Sequence, residues 1–88
     1  MLPEVKQEAL KRLSYIEGHL EGVRRMIDEE AYCVDVLKQT FAVRRAIEKL
    51  EARVLEGHLR THVVEGINNG QHEQVLKELM ELYNLAEK

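Results

Sequence analysis

The sequence predicts an all-α fold of three helices, with a second helix so long that the core closes only when further copies of the chain pack against it. Three observations support this. A third of the 88 residues are charged, aromatics make up only 5 %, and there are five Gly and one Pro, a balance that suits long soluble helices rather than sheets. Apolar residues recur three and four positions apart along most of the chain. Between Cys33 and Val64 there is no Pro and only one Gly, Gly57.

The first helix carries Val5, Ala9, Leu13, Ile16, Leu20, Val23 and Ile27 as one buried stripe. Pro3 stands where a first helical turn tolerates its missing N–H. Asp28, Glu29 and Glu30 are unfavourable at a helix C-terminus, so the helix is expected to end there and the next to begin around Ala31 to Cys33. Val34, Leu37, Phe41, Ile47, Leu50, Val54, Thr61 and Val64 give the second helix its stripe. It is expected to stop near Gly66, because Gly66-Ile67-Asn68-Asn69-Gly70 is the only strong turn chemistry in the chain. A shorter third helix follows, with Val75, Leu79 and Leu82 on one face and Leu76, Met80 and Tyr83 beside them.

A chain of this length makes one domain, residues 1–88, and buries only roughly 60 to 65 % of its unfolded surface, so self-association is an expected source of core. The long helix must cover its overhang on another copy. Two-fold symmetry then favours an antiparallel pairing of second helices into a four-helix dimer core, which a dimer of dimers would double. Cys33 is the only cysteine and can form no internal disulfide, which suits a reducing compartment. No charged-then-apolar leader opens the sequence, and no apolar run reaches the ~18 residues of a membrane span, so the expected location is the cytoplasm, with no membrane partner.

The net charge of -3 runs against the basic character of most DNA-binding domains, but its distribution is uneven. Eleven of the thirteen Lys and Arg residues lie between Lys6 and Arg60, while the segment from Glu65 onward is mainly acidic. A symmetric assembly could gather the basic faces into one patch. Alternatively, Arg24, Arg25, Arg44 and Arg45 are ordinary exposed faces paired with nearby acids.

His58 and His62 form H-x-x-x-H, which on a helix sets two imidazoles one turn apart on one face, close enough to share a metal ion. Such a pair also arises by chance. Cys33 strengthens the metal reading, because a thiolate beside two imidazoles suits copper or zinc. Cys33 and His58 are 25 residues apart, about 37 Å along a continuous helix at 1.5 Å per residue, so one chain cannot bring them to one ion. An antiparallel partner can, and symmetry then makes two equivalent sites per dimer. Against this stands Cys33 as a small buried hydrophobe. His19 and His72 have no spaced partner and are read as solvated or locally hydrogen-bonded. Ser14, Thr40 and Thr61 lie beside no Gly-rich elbow, and no phosphate-cradling loop exists, so no enzyme and no small-molecule substrate are expected.

Taken together, Leu10-Lys11-Arg12-Leu13, Ile16-Glu17-Gly18-His19-Leu20-Glu21-Gly22-Val23, Tyr32-Cys33 and Gly57-His58-Leu59-Arg60-Thr61-His62-Val63 resemble the CsoR/RcnR family of bacterial repressors over nearly the whole chain. That resemblance implies three-helix protomers in a disc-shaped tetramer without a helix-turn-helix. It implies copper ligands at Cys33, His58 and position 62, where this chain has His62 in place of the cysteine usual in the copper sensors. Two imidazoles and one thiolate form a less soft set than two thiolates, so Cu(I) is the expected metal with Cu(II) and Zn(II) as alternatives. The resemblance also implies Tyr32 and Glu78 as groups around the ligands, Glu78 accepting a hydrogen bond from the His58 ring. The nickel and cobalt branch adds an N-terminal histidine, which Met1-Leu2-Pro3-Glu4 lacks. The formaldehyde-sensing branch uses an N-terminal proline amine, whereas Pro3 has two residues before it, and the persulfide branch needs a second cysteine.

The expected function is a copper-responsive transcriptional repressor whose metal-free tetramer holds operator DNA. Arg12 and Lys49 are the basic positions that match the family, with Lys11, Arg44, Arg45 and Arg53 as further candidates. Two alternatives stay open. One is a metal carrier that uses the same ligands without DNA; the other is a structural helical oligomer in which Cys33, His58 and His62 never meet.

Overall fold

The computed structural model describes residues 1–88. The elements are α1 (Pro3–Asp28), α2 (Cys33–His58), a π-helical turn (Leu59–Val63), α3 (Val64–Asn68) and α4 (His72–Ala86). His58, Leu59, Val63 and Val64 keep right-handed helical dihedrals at the junctions, so α2, the π turn and α3 form one rod from Cys33 to Asn68. The expected third helix is α4.

Both main helix ends are closed the same way. After α1 the Ala31 N–H donates to the Met26 carbonyl and the Glu30 N–H to Ile27, with Glu30 left-handed at φ 56°. After α3 the Gln71 N–H donates to Gly66 and the Gly70 N–H to Ile67, with Gly70 at φ 77°. These are Schellman motifs, which satisfy the last carbonyls of each helix. The rod therefore ends at Asn68 and the glycine that turns the chain is Gly70. Gly66 does other work: a Cβ there would sit 2.6 Å from Cγ2 of Val75, so its missing side chain lets α4 lie close against the rod.

α1 packs antiparallel on α2. The α1 seam is Val5, Ala9, Ile16 and Val23, all buried, with half-buried Arg12 and His19 filling the gaps at heptad spacing. Val5 fits over Gly57, where a Cβ would come within 2.9 Å of Val5 Cγ2. Glu8 meets Arg53, and His19 Nε2 lies 2.7 Å from Gln39 Oε1. Ile16, Val23 and Val43 form the central cluster, flanked by Val36, Ala46 and Leu50. His19 is thus neither solvated nor locally bonded; it bridges the two helices. Leu13, Leu20 and Ile27, expected in the core stripe, are exposed in the protomer.

The protomer is a flat slab of 56 × 29 × 14 Å, about one helix thick. Its radius of gyration is 17.3 Å, where a compact chain of this length has about 12 Å. Its accessible surface is 7225 Å², against about 5,400 Å² for a compact protein of this mass. The surplus is about 1,800 Å², and the exposed surface includes large apolar side chains, among them Leu37, Phe41 and Leu55 on α2 and Leu76, Met80 and Leu82 on α4. No helix is long and apolar enough to cross a membrane.

Candidate metal centre

Cys33 is the first residue of α2 and is exposed. Tyr32 precedes it as the N-cap, its carbonyl accepting the N–H groups of Asp35 and Val36. His58 ends α2 half-buried, and His62 lies exposed in the π turn. Their ring centroids are 5.2 Å apart at an interplanar angle of 32°. The two imidazoles therefore share a face, as their spacing predicts.

The π turn beneath them was not legible as such. Thr61, expected in the apolar stripe, donates its hydroxyl to the Gly57 carbonyl at 2.8 Å. A side chain that bonds back to the carbonyl four residues earlier competes with the ordinary helical ladder and bends it. Single π turns inside α-helices often occur at functional sites, and this one spans the His58–His62 pair.

Within the protomer no three His, Cys, Asp or Glu side chains come together as a metal-binding group. The unbroken α2 is the reason, since it holds Cys33 and His58 at opposite ends, about 37 Å apart. The histidines border two depressions. One is an apolar groove of about 860 Å³ whose wall includes Leu50, Val54, Leu55, Leu82 and Ala86. The other, about 390 Å³, runs under α4 and is lined by Gly66, Gln71, Gln74, Val75 and Glu78 as well. The structure thus brings Glu78 into the same groove as His58, while its carboxylate accepts a hydrogen bond from Gln74 Nε2 at 2.9 Å. Tyr32 lies with Cys33 at the far end of the rod.

Of the basic residues, Lys11, Arg12, Arg45 and Lys49 line one groove between α1 and α2, with Tyr15, Ala42 and Ala46. Arg44 is not among them and stacks its guanidinium 5.4 Å above the Phe41 ring. Arg53 is turned into the helix seam, where its Nε donates to Glu8. Glu8 also accepts from Arg12 Nη2 at 3.2 Å. These hydrogen bonds, Arg53 first and Arg12 second, hold the Glu8 carboxyl below the usual carboxylate range, while the Glu8 partner raises Arg53. Glu8 is the residue that sequence reasoning missed. Its i,i+4 spacing to Arg12 was the available signal.

The family model of metal-sensitive transcriptional repressors matches residues 5–84. The copper-sensing transcriptional repressor CsoR of Mycobacterium tuberculosis is 38 % identical over 76 residues, covering 86 % of this chain; the chain spans 64 % of that relative's length. The crystal structure of the copper-sensing repressor CsoR with Cu(I) from Geobacillus thermodenitrificans NG80-2 superposes with a TM-score of 0.93 at 34 % identity, covering 100 % of this chain and 92 % of that one. The nickel-responsive transcriptional regulator InrS is 37 % identical, with a TM-score of 0.76, covering 89 % and 88 %. A helical protomer whose thiol and paired imidazoles stand at opposite ends of one rod, matched along nearly its whole length, belongs to the family of metal-sensitive transcriptional repressors.

Proposed function

We propose that the chain is a single-domain, cytoplasmic, copper-responsive transcriptional repressor, with no catalytic activity, that acts as a dimer of dimers. Its metal-free assembly holds operator DNA, and Cu(I) at a site built from Cys33 of one protomer with His58 and His62 of another releases it. The observation that carries this reading is the unbroken rod from Cys33 to His58. An antiparallel neighbour is the arrangement that unites the three donors, and about 1,800 Å² of surplus surface matches what one partner buries in a large dimer interface. The apolar groove beside the histidines supplies the contact area.

The donor set fits a soft or borderline metal, the thiolate favouring Cu(I) and the imidazoles suiting Cu(I), Cu(II) or Zn(II). The bound ion would fix the positions of the two rods relative to one another. Glu78, which lines the same groove as His58, would leave Gln74 and accept the remaining N–H of the His58 ring, drawing α4 toward the rod. Tyr32, whose carbonyl accepts the N–H groups of Asp35 and Val36 at the start of α2, would help set the position of the adjoining Cys33. Lys11, Arg12, Arg45 and Lys49 would meet DNA phosphates, while Arg44, stacked on Phe41, and Arg53, paired with Glu8, lie outside that groove.

His62 and the likeness to a nickel-responsive regulator support a second reading, the same switch driven by a divalent metal. Anaerobic fluorescence anisotropy of the reduced protein on DNA from its own upstream region separates these. Release at one equivalent of Cu(I) per chain, lost in Cys33→Ala, is the expected result. Release by Zn(II) or Ni(II) alone selects the second reading. Metal binding without any DNA binding would make the protein a metal carrier and overturn the repressor.

A further inference from the structure

The α1–α2 groove sets Lys11 and Arg12 against Arg45 and Lys49, floored by Ala42 and Ala46. One carboxylate shares it, that of Glu8. Glu8 does not sit there loosely: it accepts from Arg53 and from Arg12 Nη2. Arg12 Nε, in contrast, is buried with no hydrogen-bond acceptor. The groove therefore combines four cations and one built-in anion. A fixed carboxylate among cations that face phosphates subtracts from the charge a nucleic acid can use.

We propose that Glu8 is an internal counter-charge which occupies Arg12 and Arg53 in place of a DNA phosphate and so sets how tightly, and how salt-dependently, the metal-free protein holds DNA. This deepens the repressor reading and rests on it. Phosphate entering the groove must share Arg12 with Glu8 or displace it. Neutralising Glu8 frees about one cation for a phosphate contact, which steepens the slope of log K against log[salt] by about 0.9. Referred to 1 M salt, where that term vanishes, the same slope change is about eightfold in affinity at 0.1 M. The gain falls on phosphate contacts, so operator and unrelated duplexes share it and discrimination between them does not improve.

The experiment compares wild type, Glu8→Gln and Glu8→Asp, metal-free, on operator and scrambled duplexes across 50 to 300 mM salt. Each variant's helicity and oligomer size are checked first. Glu8→Gln is expected to bind both duplexes about eightfold more tightly at 0.1 M with the steeper slope, and Glu8→Asp, which keeps the charge, to stay close to wild type. Should Glu8→Gln fail to assemble, Glu8→Met, which keeps the volume and removes the charge, gives the same readout. Unchanged or weaker binding by a folded, charge-free variant, alongside normal wild-type binding, overturns the proposal alone. Failure of wild type to bind any duplex in a salt-sensitive way overturns the repressor reading with it.

Discussion

Gly66→Ala tests how α4 is held against the metal site. An ideal Cβ on residue 66 lies 2.6 Å from Val75 Cγ2, about 1 Å inside ordinary carbon contact. Val75 is buried and β-branched, so its χ1 cannot swing to relieve the contact, and α4 must move instead. Overpacking of this kind costs about 1 to 3 kcal/mol, whereas Gly→Ala inside a helix gains up to about 1 kcal/mol. The net is a loss of about 1 kcal/mol, near 4 to 8 °C in Tm for a chain of this size. Val75→Ala removes the obstructing methyls and costs about 1.6 kcal/mol at 0.8 per methylene-sized group. In that background Gly66→Ala meets Gln71 only at the ordinary contact distance of 4.0 Å, and its helical gain remains. The sign of one substitution therefore reverses with the residue at position 75. Urea unfolding followed by far-UV circular dichroism, at one fixed protein concentration because assembly contributes to stability, reads all four variants. Equal stabilisation by Gly66→Ala in both backgrounds would refute the close approach, and with it the idea that Gly66 seats α4, and Glu78 on it, beside His58 and His62.

Glu30 holds a left-handed φ of 56°, which costs a residue with a Cβ about 1 kcal/mol or more. Glu30→Gly should therefore raise stability by about 0.5 to 1 kcal/mol in the same urea assay, and a loss would mean that the turn is not held as described. Glu8 has a lowered carboxyl pKa, so its contribution is present above the ordinary carboxylate value of 4.5 and fades as pH falls through the folded value. The stability gap between wild type and Glu8→Gln, measured by chemical denaturation at successive pH values, should be widest near neutrality and close below pH 4.5; a gap independent of pH would contradict the ion pair. His62→Cys should strengthen Cu(I) binding against a chromogenic chelator by about tenfold or more, since a second thiolate is the softer donor, and weaker binding would remove position 62 from the ligand set.

The helices were legible because their causes are local. The acidic run Asp28 to Glu30 ends α1, and a stretch free of Pro with a single Gly runs on from Cys33. The 25-residue interval from Cys33 to His58 sufficed to exclude a site within one chain, because it depends only on helical rise. What stayed hidden depends on the neighbour. Gly66 reads as a stop, and only the packing of Val75 reveals it as a space left for α4. Arg12 and His19 read as surface residues, yet they occupy seam positions of α1 and find partners in Glu8 and Gln39. The π turn at Leu59–Val63, where Thr61 also bonds back to the Gly57 carbonyl, is something no spacing pattern reports. Leu13, Leu20 and Ile27 follow the helical period correctly but face away from α2, onto surface that the protomer leaves open.

The most direct measurement is metal complementation between two defective chains. Cys33→Ala keeps both histidines and the double variant His58→Ala, His62→Ala keeps the thiol, so neither alone should hold stoichiometric Cu(I). After unfolding and refolding the two as an equal mixture, half of the dimers are mixed, and each mixed dimer carries one complete site of two. Cu(I) binding should then recover to about a quarter of the wild-type stoichiometry, as random pairing of two-fold dimers requires. No recovery in a mixture shown to contain mixed dimers would mean that Cys33 of one protomer and the His58–His62 pair of another do not form one site.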